Sequence, residues 1–352
     1  MKVRAAVMEE FNKPLKVLNV TDPECGPDDV IVAVKANGVC RSDWHGWVGD
    51  WGWMGLKPEL PHILGHEFAG VIEEVGKNVK RFKKGDRVVI PFSLGCGSCD
   101  CCQTGHQNVC ENITVFGFVC NGSYAQFTRV PLADQNLVHL PESIDFTTAA
   151  SLGCRFMTSF HAVTDISGVK AGDYFTIYGG GGVGLAALQV ASTLGARAIV
   201  VDIDDQKLEM AKQLGAVETV NSREVNPVEA IMDITSGGSD ITLDALGIAE
   251  TCRNSIMSLK NRGTHVQVGL TTKEEGGMVA LPTDLIVAKE LQIKGSLGMQ
   301  PHRYKALLAM VESGQLHPEK LISKTISLEE ASDVLASMHE YGTVGSVIID
   351  RF

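Results

Sequence analysis

Apolar positions over the first 150 residues fall in short runs broken by Gly, Pro and Asp, the spacing of strands joined by turns. Residues 30–34, 70–75 and 87–91 are predicted strands, the last following the turn residues Lys84, Gly85 and Asp86. From Ala171 the period changes to strand and helix in alternation. A strand at 174–178 leads into a helix at 183–194 and a second strand at 198–201. Further pairs follow: helix 206–214 with strand 219–220, helix 228–235 with strand 241–243, and helix 251–259 with strand 264–268. With a strand at 291–294 these make six, which predicts a doubly wound parallel sheet. Two amphipathic helices at 302–313 and 328–339 flank a last strand at 346–349. That tail is too short for its own core, so it is expected to pack on the N-terminal β region or on the sheet.

At 352 residues the chain has room for two domains. No run approaches the roughly 20 apolar residues of a membrane span, and the start MKVRAAVMEEF lacks the apolar run of a signal peptide. A cytoplasmic protein with no membrane partner is therefore expected. Thirty-one basic against 42 acidic residues, net −11, argue against nucleic-acid binding. In a reducing compartment ten cysteines are not a disulfide framework, so clustered ones are expected to bind metal or do redox work.

The strand at 174–178 runs directly into GGGGVG and the following helix, satisfying G-x-G-x-x-G with Gly179, Gly181 and Gly184. Such a turn lets backbone approach a pyrophosphate, whose charge then meets the unpaired amides of a helix N-terminus. The next strand ends in Asp202, 18 residues beyond Gly184, where a carboxylate can accept from both ribose hydroxyls. It would repel a 2′-phosphate, and Lys207 is the nearest cation, so NAD is predicted over NADP.

Cys96, Cys99, Cys102 and Cys110 follow C-x2-C-x2-C-x7-C, which fits a closed tetrahedral structural zinc. An iron–sulfur motif that begins alike continues with three residues, Cys and Pro, and this chain does not. Cys101 as third ligand would demand a sharper turn, so it is expected to be a free thiol, as are Cys25, Cys120 and Cys252.

Cys40-Arg-Ser-Asp-Trp-His45 and Gly65-His66-Glu67 each set a candidate ligand beside polar groups. Singly, a buried Cys or His is ordinarily a packing residue. With Cys154 in SLGCRFMTSF they make a Cys-His-Cys set that leaves a fourth position for water or substrate. On these segments, the four-cysteine lobe, Thr158 four residues after Cys154, and GGGGVG with Asp202, the chain resembles the medium-chain, zinc-dependent alcohol dehydrogenases over essentially its whole length. A Cys2His catalytic zinc is characteristic of that family, so the ligand set rests on the resemblance.

The resemblance implies an α/β plus β fold: a GroES-like catalytic domain at 1–153 and 296–352, and a Rossmann NAD-binding domain at 154–295, with the active zinc in the cleft between them. It implies two Zn2+ per subunit and reversible hydride transfer between a primary or secondary alcohol and NAD. Zinc on Cys40, His66 and Cys154 would act as Lewis acid. Ser42 would pass the proton through the nicotinamide ribose to His45, and Asp43 would bond the free nitrogen of His66. Glu67 is either a further ligand or a carboxylate standing outside the coordination shell. Gly179, Gly181, Gly182, Val183, Gly184, Asp202, Lys207, Thr158 and Val268 are the expected cofactor contacts.

All four tryptophans, Trp44, Trp47, Trp51 and Trp53, fall within ten residues. Trp44, Trp51 and Trp53 are expected in a pocket wall, against the alternatives of loop anchoring or a subunit interface. Phe118 and Leu297 join them by family position. An apolar or aromatic alcohol or aldehyde is thereby favoured over a sugar, which needs more hydrogen-bonding groups than this loop carries. A polyol or threonine dehydrogenase on the same scaffold and an inactive zinc-binding relative are the rivals. Dimeric members of the family carry a longer insertion between Cys110 and Tyr124, so the resemblance implies a homotetramer.

Overall fold

A computed structural model describes residues 2–340 and 344–352. The chain divides into two compact units, 1–157 with 298–352, and 158–297. The divisions lie a few residues beyond the expected 153 and 295. At the first of them a Cβ on Gly153 would run into Glu67, so the turn that carries Cys154 stays packed on the first unit.

The first unit is built around the strand Val30–Val39, buried along nearly its whole length. Glu67–Val75 pairs with it on one side. On the other side Phe127–Val130 covers its first half and Ser346–Arg351 its second. The tail therefore closes on the N-terminal β region. It also brings a strand that the apolar pattern did not predict: Ile322–Ser327, parallel to Ser346–Arg351, has exposed Lys324 and Thr325 and reads as polar. Lys2–Met8 and Lys16–Thr21, likewise unpredicted, form an antiparallel pair. The second of these carries mostly exposed side chains, so its pattern carries no apolar face.

In the second unit six strands lie in the order Glu218–Asn221, Arg197–Asp202, Tyr174–Tyr178, Ser239–Asp244, Leu259–Gln267 and Gln292–Gly295, all parallel. This is the doubly wound sheet that the alternation predicts, reversing between the third and fourth strands. The strand Leu259–Gln267 starts five residues before the predicted 264, because exposed Lys260, Asn261 and Arg262 hide its first half. No described helix is long and apolar enough to cross a membrane.

Candidate active site

Cys40 is the N-cap of the helix Arg41–Val48, and its extended backbone (φ −106°, ψ 155°) turns the chain out of the strand Val30–Val39. Asp43 completes a reciprocal cap by accepting from Cys40 N at 2.9 Å. The same carboxylate accepts from Gly65 N at 3.1 Å and from the Tyr124 hydroxyl at 3.0 Å. Its remaining contact is His66 Nδ1 at 2.8 Å, so one buried carboxylate fixes the positions of both Cys40 and His66. Burial disfavours the charged imidazole, yet the Asp43 carboxylate holds His66 well above its ordinary pKa.

Cys154 arrives on the π-helical turn Leu152–Phe156, opened by Gly153 at ψ −145°. One donor atom each from Cys40, His66, Glu67 and Cys154 lie within 4.8 Å of one another. His66 Nε2 is buried and has no hydrogen-bond partner. A hydrogen bond between the two sulfurs holds Cys40 well below the ordinary thiol range and Cys154 well above it. Two soft thiols, an orphaned imidazole nitrogen and a carboxylate packed this closely fit a zinc ion, which would satisfy the nitrogen and replace the thiol protons.

Glu67 is also engaged elsewhere. Arg155 donates to its Oε1 from the backbone N and Nε, both at 3.1 Å, and to its Oε2 from Nη2 at 2.5 Å. Burial pushes the Glu67 carboxyl up to about 7, with Arg155 opposing. Arg155 was not among the expected site residues. The signal available in the sequence was a lone cation inside the apolar stretch SLGCRFMTSF, next to a ligand.

Ser42 and His45 sit three residues apart on the helix Arg41–Val48, the spacing that puts two side chains on one face. His45 Nδ1 lies 2.9 Å from Asp50 Oδ1, and its ring stacks on Trp51 at 4.2 Å and 10°. Burial lowers the His45 pKa, and Asp50 opposes that shift. Trp51 lies 5.9 Å from Phe118, whose ring is in turn 6.0 Å from His66. These rings form one apolar path from His45 to the ligand cluster. Trp44 departs from the pocket expectation: it belongs to the core and lies beneath the Arg41 guanidinium, 3.9 Å from its ring centroid. Trp47 anchors the loop by donating to Lys13 O at 2.6 Å, and Trp53 is 45% exposed. Leu297 belongs to the second unit.

In the lobe Cys96, Cys99, Cys102 and Cys110, one sulfur of each lies within 4.8 Å of the others, and Cys101 is outside the group. Cys110 Sγ accepts from Cys96 N and Asn112 N, both at 3.3 Å, and Cys96 Sγ from Ser98 N at 3.5 Å. Hydrogen bonds from the Ser98 hydroxyl and from the Ser98 and Cys99 amides pull Cys96 down to about 5, preparing a thiolate donor. The cluster fits a second, closed zinc site.

In the second unit the glycine turn joins the strand Tyr174–Tyr178 to the helix Gly182–Thr193. Gly179 has φ 104°, and a Cβ on Gly184 would overlap the Gly179 carbonyl. Gly181 N-caps the helix without a side-chain bond, which leaves the amides of Gly182, Val183 and Gly184 available to an anion. Asp202 Oδ2 accepts from Gly180 N at 2.6 Å, tying the acidic strand end to the turn, and Lys207 Nζ stands 4.0 Å from its Oδ1. Ser159 donates to Val183 O at 2.7 Å, and neighbouring Thr158 keeps a buried hydroxyl without a partner. Val268 continues the strand end, donating to Asp244 O at 3.1 Å.

Residues 26–142 match the alcohol dehydrogenase GroES-like domain, and residues 182–313 match the zinc-binding dehydrogenase domain. A curated NAD-dependent alcohol dehydrogenase of Sulfurisphaera tokodaii is 32% identical over 99% of both chains. Among solved structures, a benzyl alcohol dehydrogenase of Acinetobacter calcoaceticus is 26% identical over 100% of both chains, with a TM-score of 0.92. A zinc-binding dehydrogenase of Sinorhizobium meliloti solved with NADP is 32% identical over 99% of both chains, with a TM-score of 0.88. The chain belongs to the medium-chain, zinc-dependent alcohol dehydrogenases, a family of oxidoreductases.

Proposed function

We propose that the protein oxidises an apolar or aromatic alcohol to an aldehyde or ketone, reversibly, with NAD as hydride acceptor. The observation that carries this reading is the buried cluster of Cys40, Cys154 and the unpartnered His66 Nε2, a donor set suited to zinc. Zinc bound there supplies Lewis-acid stabilisation of the deprotonated alcohol. The chain's own residues do the rest. Asp43 fixes the tautomer of His66 so that Nε2 is the donor nitrogen. Ser42 accepts the alcohol proton as it gives up its own, and His45 is the group that releases a proton to water, its Nδ1 proton held by Asp50 so that Nε2 is the basic nitrogen. Trp51 and Phe118 give the substrate side an apolar lining, which supports a benzylic alcohol over a polyol.

Asp202 supports NAD: its carboxylate is already fixed by the Gly180 amide and its charge opposes a 2′-phosphate. The glycine turn and Thr158 would hold the dinucleotide, and the four-cysteine lobe a structural zinc. The decisive experiment combines metal analysis with NADH formation from aliphatic, benzylic and polyhydroxy alcohols. Two zinc per chain and turnover of benzylic alcohols are expected, and Cys40→Ser or Cys154→Ser should remove one zinc and the turnover together. Turnover surviving in either variant would sink the reading; a preference for polyols would transfer it to the polyol branch of the same scaffold.

A further inference from the structure

Glu67 can serve a cation held by Cys40, His66 and Cys154, or it can serve Arg155. The geometry favours Arg155. Three donors of one residue converge on the two carboxylate oxygens, and both side chains are almost wholly enclosed, Glu67 at 0% and Arg155 at 9% exposure. A buried guanidinium facing a buried carboxylate in a forked arrangement is bound far more firmly than either charge alone, because neither has water to return to.

The surrounding backbone is shaped to this pair. Gly38 stands opposite Glu67 in the register of the paired strands, where a Cβ would overlap Glu67 Oε2 and sit 3.1 Å from Arg155 Nη2. Gly153 takes the other side, where a Cβ would come within 2.5 Å of Glu67 Cβ. The non-helical ψ of Gly153 is also what aims the following residues, Cys154 and Arg155, at the same spot. One turn thus delivers a metal ligand and, one residue later, the counter-ion of the neighbouring carboxylate.

We infer that Arg155 is a positioning residue that holds Glu67 out of the coordination shell of the cation, so that Cys40, His66 and Cys154 are the three protein ligands and the fourth position stays open to substrate. This rests on the metal reading above. In its absence Glu67 would be a buried charge without a partner, and the nearest compensating charge would be the metal itself.

Co2+ loaded in place of zinc tests this, because its visible absorption reports coordination number and the entry of an exogenous ligand such as imidazole. In the unaltered protein, imidazole should shift the spectrum by taking the open position. Arg155→Met should weaken imidazole binding at least tenfold and give a spectrum closed by Glu67 before imidazole is added. The double variant Arg155→Met with Glu67→Gln should restore the open spectrum. Glu67→Gln alone, which keeps an oxygen for Arg155, should retain Co2+ with an affinity within twofold of the parent. The inference is overturned if Arg155→Met binds imidazole as the parent does, or if Glu67→Gln alone loosens the metal, since Glu67 would then be a ligand already. Arg155→Lys, which keeps the charge and loses the fork, should lie between parent and Met variant. Failure of the metal reading itself looks different: the unaltered protein would then take up Co2+ at the four-cysteine lobe only, with a spectrum insensitive to Cys154→Ser.

Discussion

Asp43 Oδ1 stands 2.8 Å from His66 Nδ1, and the same carboxylate accepts from the amide of Cys40. Two of the three proposed zinc ligands are therefore oriented by one side chain. Asp43→Asn keeps the volume but turns one acceptor into a donor, facing groups that all donate. The expected result is roughly a 10- to 100-fold loss of metal affinity at this site, read by competition with a chelator, while the cysteine lobe keeps its zinc. An unchanged affinity would mean that the ligands are held by the surrounding backbone and not by Asp43.

The proton path makes a prediction in which two substitutions act in opposite directions. Burial lowers the His45 pKa and Asp50 raises it, and only neutral His45 can accept a proton. Removing the Asp50 charge by Asp50→Asn should move the acid limb of kcat/KM to lower pH, with a lower plateau because the tautomer is no longer fixed. Trp51→Ala opens the stacked face of the imidazole to water, weakens the desolvation, and should move the acid limb to higher pH. If both limbs moved the same way, another group would be titrating.

The cysteine lobe separates neighbours in sequence. Cys102 is buried within the sulfur cluster, whereas half-exposed Cys101 lies outside it. Cys102→Ser should cost one zinc per chain and lower Tm, since a structural zinc contributes folding free energy directly. Cys101→Ser should change neither. Loss of zinc in the Cys101 variant would reassign the third ligand.

Much of this was legible in the sequence wherever local chemistry and long-range structure agree. The alternation of strand and helix after Ala171 predicts a parallel sheet because each buried strand is a continuous apolar run, as in Ala198, Ile199, Val200 and Val201. Glycine turns and cysteine spacings are local as well. Polar strands were not legible: Ile322–Ser327 earns its place only by pairing with Ser346–Arg351, a partner that its own pattern does not announce. Arg155 was not legible as a site residue for a related reason: it acts on a side chain 88 residues away in sequence. Asp50 is only five residues from His45, but a single carboxylate in a turn carries no pattern that names the imidazole it bonds. The tryptophans illustrate the limit on composition: Trp44, Trp47, Trp51 and Trp53 look alike in sequence, yet one packs in the core, one anchors a loop, one stacks on His45 and one is exposed.

Cofactor choice depends on the balance at Asp202. Its Oδ1 accepts from the amides of Ile203 and Asp204 at 2.7 and 3.0 Å, and its Oδ2 from Gly180, so the carboxylate is rigidly presented at the strand end. A 2′-phosphate placed there would meet a fixed negative charge, a repulsion of several kcal/mol when poorly solvated. Lys207 stands 4.0 Å away and is offset by that same carboxylate. Asp202→Ser keeps a hydroxyl for a ribose oxygen, removes the repulsion and releases Lys207 to a phosphate. The ratio of kcat/KM for NAD over NADP should then fall on the order of 100-fold, and Lys207→Ala in the same background should reverse most of the gain for NADP. The measurement is initial rates with both cofactors at saturating alcohol. Equal use of the two cofactors by the unaltered protein would show that Lys207 already cancels the repulsion from Asp202.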